Sequence, residues 1–249
     1  MSGASARIAG NALVLVIALL CAWQLLYWLA GEAAMRSPWQ TIGFTGRLLA
    51  SDAFREHLME STRAFAAALA IALGLGLALG LGLGLNRLCG AVLEPMLVAL
   101  YSIPKIALYP VLLLAFGIGM SAKIAFGAIH GVIPVALFTV HAVRNVAPIL
   151  IKTARVLKLS RASVVRSVVL PATIPEVFTG IRVGFSLTLI GTLLGEMFAA
   201  QRGLGYLLMT AIGLHNVNLI MAIALLVTVF AAAFSGLLLA IDRRIRSRY

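Results

Sequence analysis

An all-α membrane bundle with six transmembrane helices is the fold class this sequence predicts, and three observations predict it. The first is solvent preference. Of 249 residues 62% are hydrophobic and 11% charged, and mean hydropathy is +1.05. A water-soluble domain of this length cannot hide so much apolar side chain, because much of its exterior must face water. The second is segmentation: the apolar residues form runs long enough to cross a bilayer, which takes about 20 residues as a helix. The third is charge placement. Lys and Arg number 20 against 8 Asp and Glu, a net charge of +12, and most lie in the gaps between the runs. Such a balance also suits nucleic acid. Cations confined to the gaps fit an anionic membrane surface and the positive-inside bias better, so no nucleic-acid partner is expected.

The first run covers about Asn11 to Ala30. Its apolar core is long for a signal peptide and Gly31-Glu32-Ala33-Ala34 makes a weak cleavage site, so it reads as a retained span. The second covers about Ala64 to Leu85, with Gly76, Gly80 and Gly84 on one face and Gly74, Ala78 and Gly82 beside it. Small residues every four positions let helices approach closely in lipid. A nucleotide loop would need a preceding strand and a Lys-Ser/Thr, and both are missing. The third run, about Ala91 to Phe116, is interrupted by Pro104 and Pro110, each lacking a backbone donor. Lys105 lies between them, where a cation either lines a polar cavity or snorkels to the interface. The fourth run covers about Ile124 to Val143, the fifth about Val177 to Ala200 and the sixth about Val217 to Ile241. Cys21, in an apolar run, and Cys89, in a short loop, make no disulfide framework and serve as small apolar residues.

The connection from Arg144 to Pro171 is far longer than a helix–helix link needs. Ile149, Leu150, Thr153, Val156 and Leu157, then Val164, Val165, Val168 and Val169, keep a helical period, with basic residues between them. Ser160 reads as the N-cap of a second short helix. The prediction is an amphipathic helical hairpin closed by Pro171 and Pro175. It suits either lipid headgroups or the groove of a soluble partner.

Orientation follows from the cations. With the N-terminus in the cytoplasm, the inside receives Arg7, Arg87, the 144–166 connection and Arg243, Arg244, Arg246 and Arg248, about 12 in all. The outside receives about 6: Arg36, Arg47, Arg55, Arg63, Lys123 and Arg202. Both termini are therefore expected in the cytoplasm. Two domains are expected: residues 1–63, holding the first span and an outer connection, and a five-helix core, 64–249, with the loop at about 144–175.

Four blocks, in order, resemble the permease subunits of binding-protein-dependent ABC importers, in their nitrate/sulfonate/taurine branch. In the loop, Lys152-Thr153-Ala154-Arg155 stands at that family's Glu-Ala-Ala-Arg, Leu157-Lys158-Leu159-Ser160 at its Leu-Gly-Ala-Ser, and Val169-Leu170-Pro171-Ala172 at its Val-Leu-Pro-Ala. Pro175 and Thr179-Gly180-Ile181-Arg182 continue it. Gly195-Glu196-Met197 and Gly203-Leu204-Gly205-Tyr206 look like the branch's Glu-Met and Gly-Leu-Gly-Tyr. Ile103 to Pro110 and Phe116-Gly117-Ile118-Gly119 resemble its third helix. The likeness runs from about Ser61 to Ile241.

The resemblance implies a type I ABC importer permease in the bacterial inner membrane. Lys152, Thr153, Ala154, Arg155, Val156, Leu157, Lys158, Leu159 and Ser160 would then couple to two ATP-binding cassette subunits, which carry the ATP and Mg²⁺. A second permease copy, expected to be identical, would complete the pathway, and a periplasmic or lipid-anchored binding protein would deliver a small anionic solute. An aromatic solute such as a thiamine precursor is the alternative. Ala154→Glu is expected to block docking. Lys105, Arg182, Ser186, Thr188 and Glu196 are the expected pathway residues. Two departures stand out: the family's Glu is Lys152, and its Gly, which permits a positive φ, is Lys158.

Rival classes lack their signatures. No phosphate loop, catalytic constellation or metal-ligand spacing is present, and His57, His130, His141 and His215 are scattered, so no enzyme activity and no metal or other cofactor are expected of this chain. An ion-driven transporter would want intramembrane acids and internal repeats, and Glu196 alone qualifies. A purely structural membrane protein needs neither Lys105 nor a broken helix.

Overall fold

The computed structural model describes residues 2–246; Arg248, counted above among the inner cations, lies outside them. The described residues form helices and no strand: α1 (Ser2–Ala30), α2 (Pro38–Leu49), α3 (Asp52–Leu85), α4 (Arg87–Ser102), α5 (Tyr109–Phe116), α6 (Met120–Arg144), α7 (Pro148–Val156), α8 (Arg161–Val164), α9 (Leu170–Ala199), α10 (Leu204–Gly213) and α11 (Val217–Arg246). A 3₁₀ turn, Lys105–Leu108, precedes α5, and a π-helical turn, Val165–Val169, joins α8 to α9. Among the described residues five stretches are long and apolar enough to cross a membrane: Gly10–Ala30, Asp52–Leu85, Met120–Arg144, Arg161–Phe198 and Val217–Ile245. The sixth expected crossing is a pair, α4 and the 3₁₀–α5 piece, bent by 91°. The bend falls at Ile103-Pro104, where proline withholds a backbone donor. The chain divides into two compact units, residues 2–56 with 207–229 and residues 57–206 with 230–246.

In the first unit, Ser37 opens α2 with a capping box. Its hydroxyl accepts from the Gln40 amide at 3.2 Å, and Gln40 Oε1 accepts from the Ser37 amide at 3.0 Å. The Trp23 indole N–H donates to the Arg36 carbonyl at 3.0 Å, tying α1 to the turn before α2. Helix α10 ends with His215 at φ +52°, its amide donating to the Ile212 carbonyl while Asn216 donates to Ala211. That is a Schellman stop.

In the second unit α6 and α9 form the core. Gly127 and Gly131 of α6 lie against Thr192 and Thr188 of α9, and Gly191 of α9 lies against the His130 ring, with no room for a methyl group. Helix α3 packs on α6 through the predicted face. A Cβ at Gly76 or Gly84 would come within 2.7 Å of Val135 or Val143, and one at Gly80 would strike Thr139. Gly74 and Gly82 of the neighbouring stripe meet nothing within 4 Å. Phe65, Phe185, Phe230 and Phe234 join α3, α9 and α11, with Phe185 and Phe234 stacked at 4.1 Å.

Three local expectations are corrected. The third segment starts at Arg87, not Ala91, because Asn86 caps α4 by accepting from the Leu88 and Cys89 amides; Cys89 is in the first turn rather than a loop. Pro171 and Pro175 do not close the loop. They sit in the first turns of α9, with the wider π-helical turn just before them, so the second arm of the loop is continuous with the fifth span. Lys123, counted as an outer cation, is 1% exposed inside α6.

Candidate functional site

The first arm of the long loop is α7, with Pro148 in its first turn. Its stop decides the shape of the tip. The Lys158 amide donates to the Arg155 carbonyl at 3.0 Å and the Leu159 amide to Ala154 at 3.1 Å, the two bonds of a Schellman motif. Lys158 stands at the left-handed position of that motif with φ +50°. The turn therefore keeps the form that glycine ordinarily allows, and a side chain there costs about 1–2 kcal/mol. Ser160 caps α8, its hydroxyl accepting from the Ser163 amide at 3.2 Å.

Ala154 is 2% exposed, packed within the subunit. Glutamate at 154 would therefore disrupt the loop itself before it met any partner. The side chains that stand out are Val156, 80% exposed, and Leu157, 65% exposed, with Ile149 beside them. Lys152, Arg155, Lys158, Arg161 and Arg166 are exposed as well, and no Asp or Glu occurs from 145 to 175. Among the described residues none of these five is in an ion pair; Arg144, at the end of α6, does pair, with Glu94 of α4.

A second group of polar residues lies within the spanning helices. Lys105 Nζ donates to the Tyr101 carbonyl at 3.1 Å and sits 4.7 Å from the centre of the Tyr101 ring. Tyr101 also lines a cavity of about 330 Å³ with Thr179, Arg182, Ser186 and Ser235. Arg182 is half-buried and lies 3.8 Å from Asp242 of α11; Ser186 is exposed and donates to the Arg182 carbonyl at 3.3 Å. Lys105 faces a larger groove too, about 750 Å³, with walls almost entirely aliphatic and aromatic. So Arg182, Ser186 and, through Tyr101, Lys105 come together. Thr188 does not join them: it is fully buried against Gly131.

Glu196 is fully buried elsewhere, in a network of its own. Ser61 donates to its carboxylate at 2.7 and 2.8 Å, and the Gly205 amide donates at 3.0 Å. Lys123 Nζ stands 4.0 Å away, bonded to Glu60 at 2.9 Å and to the Arg202 carbonyl at 3.0 Å. The Leu204 amide donates to Ser61 at 2.7 Å and the Gly203 amide to His57 at 3.1 Å. Three successive amides, 203 to 205, are thus held by side chains of α3 and α9. Gly203, at φ +123°, has the Glu196 carboxylate where a side chain would be. Nearby, the Tyr109 hydroxyl donates to the Gly195 carbonyl at 2.5 Å and anchors the start of α5.

Tyr101, Lys123, Glu60 and Ser61 were not legible as partners. Tyr101 lies three residues before the predicted break, which is a faint signal; the other three are distant in sequence and meet only through the helix packing.

Residues 70–247 match the family described as binding-protein-dependent transport system inner membrane component. The chain is 35% identical over 230 residues to the riboflavin transport system permease protein RibX of Chloroflexus aurantiacus, covering 90% of this chain and 86% of that one. It is 30% identical over 190 residues to the taurine transport system permease protein TauC of Escherichia coli, covering 76% and 69%. With the putative aliphatic sulfonates transport permease protein SsuC of the same species the identity is 34% over 200 residues, covering 79% and 76%. In fold it is similar to an inward-facing MetNI methionine ABC transporter, at 19% identity and a TM-score of 0.63 over 75% of this chain and 93% of that one. An amino acid ABC transporter crystallised with histidines gives 20% identity and a TM-score of 0.64, covering 81% and 98%.

Proposed function

The chain belongs to the family of binding-protein-dependent transport inner-membrane components, and from that premise we propose that it forms half of the pathway by which an ATP-driven importer admits a small anionic solute. One observation carries the solute reading: the polar strip of Tyr101, Lys105, Arg182 and Ser186 on the surface of a single subunit, within its spanning segments. A cation at membrane depth facing lipid costs about 2.5–3.5 kcal/mol or more, so such a strip belongs against water or protein. A second identical copy covers it and leaves a polar passage between the two. Lys105 then attracts an anion, with the Arg182–Asp242 pair beside it. Val156 and Leu157 dock in a groove on a separate ATPase, which holds the ATP and Mg²⁺, and both termini lie in the cytoplasm. Similarity to permeases named for taurine and aliphatic sulfonates supports the anionic reading.

The riboflavin permease, similar over 90% of this chain, supports a second reading. In that reading the solute is aromatic, and the apolar groove beside Lys105 is its wall. Solute-stimulated ATP hydrolysis by the reconstituted transporter with its binding protein separates the two. Stimulation by taurine, an alkanesulfonate or nitrate, lost in Lys105→Leu, is expected. Stimulation by riboflavin alone would favour the second reading, and a Lys105→Leu variant as active as the parent would remove Lys105 from the pathway.

A further inference from the structure

The loop tip carries a lysine where its backbone conformation favours glycine. We infer that Lys158 and Lys152 are recognition cations, and that the surface they meet on the ATPase subunit is acidic. The inference rests on the docking role proposed above for Val156 and Leu157 and adds the chemistry of the partner.

Three observations carry it. The first is strain. Lys158 holds φ +50° in a Schellman stop, a position that glycine adopts without penalty. Its side chain is exposed, so nothing inside the subunit returns that cost. The second is uncompensated charge. Five exposed cations stand between residues 152 and 166 with no acid from 145 to 175, and among the described residues none of the five is in an ion pair. The third is their relation to the apolar knobs. Val156 and Leu157, 80% and 65% exposed, lie between Lys152 and Lys158 in the chain, so the knobs and the cations reach one partner together. A protein groove with an apolar floor and carboxylates at its rim fits this pattern. Anionic lipid would also attract the cations, but it would gain nothing from placing one of them at a strained tip rather than along the helix.

The test measures binding of the transporter's purified ATP-binding subunit to the full-length permease in nanodiscs of zwitterionic lipid. The variants are Lys158→Gly, which relieves the strain and keeps the turn, Lys152→Ala, and Leu157→Asp. Leu157→Asp is expected to abolish binding. Each lysine variant is expected to weaken it about fivefold and to flatten its dependence on salt. If Leu157→Asp abolishes binding while both lysine variants keep the parent's affinity and salt slope, the acidic surface is refuted and the docking role stands. Full binding by Leu157→Asp would overturn the docking role itself. A lysine effect that appears only in nanodiscs containing anionic lipid would assign the cations to headgroups and refute the inference.

Discussion

A lysine whose side chain is 2% exposed has to be neutralised where it stands, and Lys123 has Glu60 at 2.9 Å, the Arg202 carbonyl at 3.0 Å and Glu196 at 4.0 Å. Removing the cation leaves the fully buried Glu196 and the partly exposed Glu60 without that counter-charge; for a fully buried pair such a loss typically costs about 3–5 kcal/mol, and the share borne by Glu60 is smaller. Lys123→Met is therefore expected to lower the midpoint of thermal unfolding in detergent sharply, and the double variant Lys123→Met/Glu196→Gln to regain part of the loss. A single variant that melts like the parent would mean that the network contributes little. Lys158 calls for the opposite change: Lys158→Gly should stabilise the tip by about 1 kcal/mol, seen as slower hydrogen exchange at the Leu159 amide. An unchanged or faster rate would contradict the strain assigned there. The φ at 158 was open in the sequence, because the substitution of lysine for glycine allowed either a changed turn or a strained one. The burial of Lys123 was not legible, because it lies at the edge of an apolar run, where a charge tally counts it as solvated, and its partner Glu60 is 63 residues away.

Among the elements, the spans were legible because lipid imposes a length and a composition that few other structures satisfy. The broken third segment was legible from Pro104 for the same reason: proline at that place leaves the helix no donor. Helix α2 is marked in the sequence by a capping box, Ser37-Pro38-Trp39-Gln40, with proline at its first helical position, but it is short and lies between two longer apolar runs, where hydropathy alone shows a connection. Helix α10 is too short to span and carries no amphipathic stripe that periodicity would detect. Two prolines near the start of a helix usually mark its boundary, whereas here the π-helical turn Val165–Val169 runs directly into α9 and both prolines lie within the first turns of that helix. The small-residue face of α3 makes a prediction at this scale. Gly80→Val would drive a side chain into Thr139 and the Ala136 carbonyl, while Gly82 has open space. Gly80→Val should yield little folded, monodisperse protein in size-exclusion chromatography, and Gly82→Ala a normal amount. Equal yields would mean that α3 does not pack on α6 through this face.

For the whole molecule, the proposed transport role turns on orientation and on coupling to a separate ATPase. With Cys21 and Cys89 replaced by serine, a cysteine introduced at position 5 or 243 should stay unlabelled by a membrane-impermeant thiol reagent in intact cells and react after lysis, while one at Arg202 should react in intact cells. Labelling of position 5 or 243 from outside would reverse the topology. In the proposed function this chain supplies the passage and none of the energy. Uptake into proteoliposomes tests it most directly, with permease, ATP-binding subunit and binding protein combined and then omitted one at a time. Uptake is expected to need all three proteins and ATP inside the cassette-facing compartment, and to persist when ionophores collapse every ion gradient. Uptake by the permease alone, driven by an imposed ion gradient without ATP, would contradict it.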